Sequence, residues 1–226
     1  MVTTHDTDAR VRVRRYSGLA RINHWVVAIS FVLLMLSGAA LFYPTFFGLT
    51  ALFGGGQMTR WLHPWIGVAL SVSFLGLFLR FFWANLPEFT DFVWVARIRH
   101  VLSGHEEYLP EIGKYNAGQK FVFWSQFVLV SVMLVTGIGL WDQGLAFIDQ
   151  TFGFVPTIDQ RRWAALLHAC AAIVAVTILI IHVYAAIWVR GTMSAMLSGV
   201  VSGGWAWRHH RKWLRKEVGR RISPAE

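Results

Sequence analysis

The sequence predicts an all-α integral membrane protein: a four-helix bundle with both termini cytoplasmic and interfacial helices in the middle loop and C-terminal tail. Three observations predict it. Of 226 residues only 15% are charged and 55% are hydrophobic, with a mean hydropathy of +0.48; a soluble domain carries about a quarter charged residues. Four apolar runs, near 23–43, 64–86, 119–141 and 163–189, are each long enough to cross a bilayer as a helix, which takes about 20 residues. The net charge of +9 is segregated along the chain.

The first run follows Arg10, Arg12, Arg14, Arg15 and Arg21 and ends before Pro44; the second ends before Pro87. Proline has no N–H with which to continue a helix. Arg97, Arg99 and Lys114 lie between the second and third runs, and Arg190 with "RHHRKWLRKEVGRR" follows the fourth. The two remaining connections are poorer in base, Arg161 and Arg162 excepted. The positive-inside rule then places the termini and middle loop of a multi-pass membrane protein in the cytoplasm. Anionic lipid explains the basic excess, and nucleic-acid binding is not expected.

The organisation expected is one domain over 1–226: a cytoplasmic N-terminus (1–22), four transmembrane helices (23–189) and a basic cytoplasmic tail (190–226). The first run continues as a spanning helix, so it is expected to be a retained anchor rather than a cleaved signal. "FGGGQ" (53–57) reads as a flexible outer loop. "EFTDFVWVARIRHVL" (88–102) mixes apolar and basic residues at helical spacing, and it is expected to lie along the inner surface, as is the tryptophan-rich tail. Tryptophans 25, 61, 65, 141, 163 and 188 near run ends suit interfacial belts. Cys170 is the only cysteine. Neither an internal disulfide nor a cysteine-ligated cluster can be built from it, and without C-x-x-C-H any haem is held non-covalently.

Four of nine histidines fall in spanning runs: His24, His63, His168 and His182. Polar groups at membrane depth are costly and usually functional. His168 and His182 are 14 residues apart on one helix, a rise of about 21 Å, and they leave from nearly the same face. The fourth run enters from outside, so His168 is near the outer surface and His182 near the inner. His24 begins a helix at the inner level. In "LHPWIG", His63 begins one at the outer level, with Pro64 at a favoured first-turn position. Depth therefore pairs His24 with His182 and His63 with His168, and each pair suits the two axial positions of a haem iron. Zinc binding, or a proton relay in a haem-free transporter, is the competing reading. Gly38, Gly67, Gly137 and Gly139 expose bare backbone for a macrocycle or for a packed helix. His5, His100, His105, His209 and His210 lie in polar segments and are not expected to be ligands.

"RINHW" (21–25), "LSGAALF.P" (36–44), "FGGGQ", "R.LHPWIG" (60–67), "KYNAGQK" (114–120), "TGIGLW" (136–141), "LLHACAA" and the tail "RGTMSAMLSGVVS..WA" together resemble the cytochrome b (gamma) subunit of membrane-bound respiratory formate dehydrogenases. "RINHW" alone would be weak, since hydrogenase and thiosulfate-reductase cytochromes b share related histidine layouts. The resemblance implies two b haems, one ligated by His24 and His182 and one by His63 and His168, which is the pairing that depth gives. It also implies a quinone site, for menaquinone or ubiquinone, at Asn116 and Gly118, with Gln119 and Lys120 as weaker candidates. An Asn at this boundary would equally serve as a helix cap. The implied partners are an iron–sulfur beta subunit and a catalytic alpha subunit carrying a molybdenum- or tungsten-pterin. Arg161 and Arg162 would either neutralise haem propionates or flank the helix.

Overall fold

The computed structural model describes residues 11–222. Arg10, His5 and the last residues of the tail lie outside the described residues. The elements are β1 (Arg12–Arg14), α1 (Gly18–Phe42), α2 (Gly56–Phe81), α3 (Phe89–Ala96), α4 (Ile98–Leu102), α5 (Ala117–Leu140), α6 (Asp142–Phe152), α7 (Ile158–Trp188), α8 (Thr192–Leu197), β2 (Val200–Ser202), α9 (Gly203–His209) and α10 (Arg211–Ile222). α1, α2, α5 and α7 have 25, 26, 24 and 31 residues and are apolar enough to cross a membrane. They correspond to the four runs read from sequence.

Several boundaries differ from that reading. α2 starts at Gly56, so Pro64 lies inside the helix rather than in its first turn. Gly54 and Gly55 adopt φ of +86° and +99°, a left-handed turn that lets the helix begin eight residues early. The connection between α1 and α2 contains a 3-10 segment, Pro44–Phe53. α6 also escaped notice because its apolar stretch is too short to stand out as a span. Strands β1 and β2 make a short antiparallel ribbon, the only strands among the described residues.

The chain divides into two compact units, here taken separately. The first comprises residues up to Arg21, Arg80–Phe123 and His182 onward. Its ribbon pairs Val13 with Val201. Both valines are buried in a cluster with Tyr16, Ala195, Trp205, Ala206 and Trp213. Gly199 (φ +82°) turns the chain into β2, and a Cβ there would meet the Tyr16 carbonyl oxygen at 2.8 Å. Arg15 is only 5% exposed. Its guanidinium donates to the Lys114 carbonyl and lies 4.9–5.8 Å from the ring centres of Trp213, Trp205, Tyr16 and Tyr115. Cation–π attraction of this kind is strongest where water is excluded.

His210, read as one of the polar-segment histidines, is wholly buried in this unit. Its Nδ1 donates to the Gly113 carbonyl at 2.9 Å, and its Nε2 accepts from Arg15 at 3.2 Å. A smaller cluster joins Trp94 to Ile112 and Ala117. Residues 88–102, expected as one helical stretch, form α3 and α4 with a break at Arg97.

The second unit comprises Ile22–Leu79 and Trp124–Ile181. Here the apolar side chains Val72, Val135 and Ile173 are more than 60% exposed, as hydrocarbon-solvated helices require. The inward faces carry small and polar residues instead. On α7, Ala171, Ala175 and Ile178 are buried. Their spacing of four and three continues from His168, so one stripe of the helix is aimed inward. Phe78 stacks on Phe127 at 4.0 Å between ring centres, and Trp65 meets Trp141 edge-on at 4.9 Å. Asn23 donates through Nδ2 to the Ser73 carbonyl at 3.0 Å.

Candidate haem and quinone sites

In the second unit, α2 and α7 bring His63 and His168 close together, with ring centres 6.4 Å apart and planes inclined by 62°. Two imidazoles bound through nitrogen to one metal, with bonds of about 2 Å each, have ring centres roughly 6 Å apart. A ring-centre separation of 6.4 Å would suit two imidazoles held by one metal ion.

The protonation of each ring follows from its neighbours. Ser37 Oγ donates its one proton to the Leu33 carbonyl at 2.7 Å and lies 2.8 Å from His63 Nδ1. With that proton committed, the hydroxyl accepts from the ring, and Nδ1 carries the hydrogen. Thr136 Oγ1 likewise donates to the Val132 carbonyl at 2.7 Å and lies 3.0 Å from His168 Nδ1. This geometry favours Nδ1–H in both rings, which leaves Nε2 as the lone-pair nitrogen, the form that binds a metal.

The glycines divide into two groups. A Cβ on Gly38 would lie 3.3 Å from His63 Cε1, and one on Gly137 3.2 Å from His168 Cε1. Both contacts are tighter than a side chain normally makes. A Cβ on Gly67 would touch only Leu34, at 4.0 Å, and one on Gly139 would meet nothing within 4 Å. Gly38 and Gly137 make room for the imidazoles; Gly67 and Gly139 do not. Among the described residues no group of three or more His, Cys, Asp or Glu gathers as a metal site. Two imidazoles alone suit an iron whose other four ligands come from a porphyrin better than a protein-only zinc site. The residues present therefore fit a haem.

Of the other predicted ligands, His24 lies on α1 in the second unit, and His182 lies on α7 in the first. Trp25 meets His24 edge-on at 5.9 Å.

The candidate quinone residues belong to the first unit, at the start of α5. Asn116 caps that helix: its Oδ1 accepts from Gln119 N–H at 2.9 Å, and Gln119 Oε1 accepts from Asn116 N–H at 3.1 Å. This is a reciprocal capping box. It uses the carbonyl oxygen of the Asn116 amide, and the NH2 is the part with which a bound oxygen could be recognised. Gly118 stands over Trp94, to which an added Cβ would make an ordinary 3.5 Å contact. Lys120 forms a buried ion pair with Asp91 at 2.7 Å, so its charge is already matched. Arg162 pairs with Asp159 at 3.1 Å, largely exposed.

Sequence reasoning missed Ser37, Thr136 and Gln126. A signal for the first two existed: "SG" at 37–38 and "TG" at 136–137 each place a hydroxyl beside a glycine, and the glycine admits the ring that the hydroxyl holds. Gln126, 9% exposed, donates through Nε2 to the Ala175 carbonyl at 3.1 Å. Ala175 is seven residues from both His168 and His182.

The model of the family described as prokaryotic cytochrome b561 matches residues 15–199. In Escherichia coli strain K12, the nitrate-inducible formate dehydrogenase cytochrome b556(Fdn) subunit is 41% identical over 196 residues, covering 87% of each chain. The formate dehydrogenase cytochrome b556(fdo) subunit of the same strain is 37% identical over 207 residues, covering 92% of this chain and 94% of the relative. A probable Ni/Fe-hydrogenase B-type cytochrome subunit of Rhodobacter capsulatus is 27% identical over 218 residues, covering 86% and 81%. The resemblance read from the motifs is thus upheld across nearly the whole chain.

Proposed function

Because the chain belongs to the prokaryotic cytochrome b561 family, we propose that it is the di-haem b electron-transfer and membrane-anchor subunit of a formate dehydrogenase complex. His63 and His168 hold the outer haem, and His24 and His182 the inner one. The observation that carries this reading is the pair of imidazoles with ring centres 6.4 Å apart, each with Nδ1 within hydrogen-bond distance of a hydroxyl.

When bound by these histidines, two haems would supply one-electron carriers, fed by an iron–sulfur beta subunit and a molybdenum- or tungsten-pterin alpha subunit on the periplasmic side. The chain itself fixes the ring planes, excludes water and sets the basicity of the axial nitrogens. Asn116 and Gly118 hold a quinone, menaquinone or ubiquinone, at the cytoplasmic side, where it takes up protons. The charge pattern orients both termini and the middle loop toward the cytoplasm of a bacterial inner membrane. In that orientation each electron moved fully inward stores about 2.3 kcal/mol per 100 mV. The formate chemistry belongs to the alpha subunit.

A second reading, a cytochrome b subunit of a nickel–iron hydrogenase or thiosulfate-reductase-type complex, is favoured only by the weaker hydrogenase relative. Purification of the complex from membranes decides. Two haem b per chain, reduced by formate in the presence of co-purified large subunits, is the expected result. Reduction by hydrogen instead moves the assignment to the second reading. Iron near zero in the purified protein refutes both and favours a haem-free proton-coupled transporter.

A further inference from the structure

We infer that Ser37 and Thr136 are positioning residues for the outer haem: as neutral hydrogen-bond acceptors they lock both axial histidines in one tautomer and thereby set that haem's potential. The inference rests on the haem reading above and adds two residues outside the proposed ligand set.

The geometry is repeated on two different helices. Ser37 on α1 reaches across to His63 on α2, and Thr136 on α5 reaches across to His168 on α7. Each hydroxyl donates to the carbonyl four residues back on its own helix, Leu33 and Val132 respectively. A hydroxyl has one proton. With that proton directed along its own helix, a lone pair is free for the neighbouring ring, and a ring protonated at Nδ1 is its partner. Ser37 is fully buried, so no water competes for its lone pairs.

The choice of acceptor has a chemical consequence. An Nδ1–H that donates to a carboxylate gives the ligand partial imidazolate character, which stabilises ferric iron and lowers the potential. A hydroxyl is a far weaker acceptor. It orients the ring while leaving the imidazole neutral, so ferrous iron is penalised less. Partners of this kind are commonly worth about 10-fold or more in metal affinity or activity. Their loss should weaken electron donation from the ring and raise the outer haem's potential further, without touching the inner haem.

The test uses the whole complex extracted from membranes, carrying Thr136→Val, Ser37→Ala or Thr136→Ser. Potentiometric titration of the haem bands and low-temperature electron paramagnetic resonance of the oxidised haems are the readouts. Thr136→Val keeps the side-chain shape and removes the hydroxyl acceptor, leaving the Met133 carbonyl as the remaining acceptor beside His168, whereas Thr136→Ser restores the hydroxyl. The expected result is an upward shift of the outer haem's midpoint by roughly a 10-fold change in its reduced-to-oxidised ratio, with an altered low-spin signal, in Thr136→Val and Ser37→Ala. Thr136→Ser returns both to the wild-type values. Loss of the outer haem in Thr136→Val with retention in Thr136→Ser supports the same conclusion. An outer haem with unchanged potential and signal in both variants lacking the hydroxyl overturns it, as does a Thr136→Ser variant that behaves like Thr136→Val. Absence of any b-type spectrum from the wild-type complex instead overturns the haem reading itself, and the inference with it.

Discussion

Substituting Gly137 tests the outer site by steric means alone. An alanine Cβ would lie 3.2 Å from His168 Cε1 and 3.7 Å from its Nδ1, where ordinary contact begins near 3.4 Å. The ring must then give by about 0.2 Å (3.4 − 3.2), a shift that it can absorb. Valine adds two methyls, each about 1.5 Å beyond Cβ. Its single favoured rotamer in a helix prevents both from swinging clear. Overpacking of this kind costs about 1–3 kcal/mol, and the easiest relief is to push the His168 ring off its axis, away from Thr136 and from the iron. Gly139 is the control, because nothing lies within 4 Å of a Cβ there. Pyridine haemochrome analysis of the purified complex should give two haems per chain for wild type, Gly137→Ala and Gly139→Val. Gly137→Val should give about one, with the inner-haem spectrum retained. If Gly137→Val kept two haems and an unaltered outer-haem potential, the glycine would not be shaping the site, and the steric reasoning would be wrong.

Three further outcomes are expected. His168→Ala should remove the outer haem and leave the inner one, while His24→Ala should do the reverse; spectra that lose neither refute the pairing by depth. Asn116→Ser retains a side-chain cap for α5, at a cost of only tenths of a kcal/mol, whereas Asn116→Ala costs about 1 kcal/mol. If the amide NH2 binds quinone, both variants lose quinone reduction with haem reduction intact; activity retained in Asn116→Ser assigns the residue to capping alone. The first unit should lose stability in acid. Burial, and then the Arg15 guanidinium beside it, push His210 down from 6.5 to about 3. Between those values the unfolded chain binds a proton that the folded chain refuses, so stability falls as pH drops below 6.5, by up to about 1.4 kcal/mol per unit. His209, pushed down to about 4 by burial and by Arg208, acts with the same sign. Thermal unfolding of the solubilised protein at pH 7 and pH 5 should show a smaller difference in His210→Gln, whose amide can still donate to Gly113 and accept from Arg15. An equal difference would exclude His210 as a source.

The sequence by itself determined the four apolar helices long enough to span a membrane. A lipid solvent forces the backbone to bond within its own helix, so length and apolarity suffice to mark them. It determined the family too, because the matching motifs are themselves strings of residues. The early start of α2 and the existence of α6 were less legible: the glycine turn at 54–55 and the short amphipathic segment 142–152 do not stand out from their neighbours in hydropathy. What only the tertiary structure decided was which groups meet across elements. His210 and Arg15 are 195 residues apart, and the β1–β2 ribbon joins opposite ends of the chain. Ser37 and Thr136 find their imidazoles on neighbouring helices. The rotation of each helix about its own axis makes those pairings, and packing fixes that rotation; hydropathy along a single strand of sequence carries little trace of it.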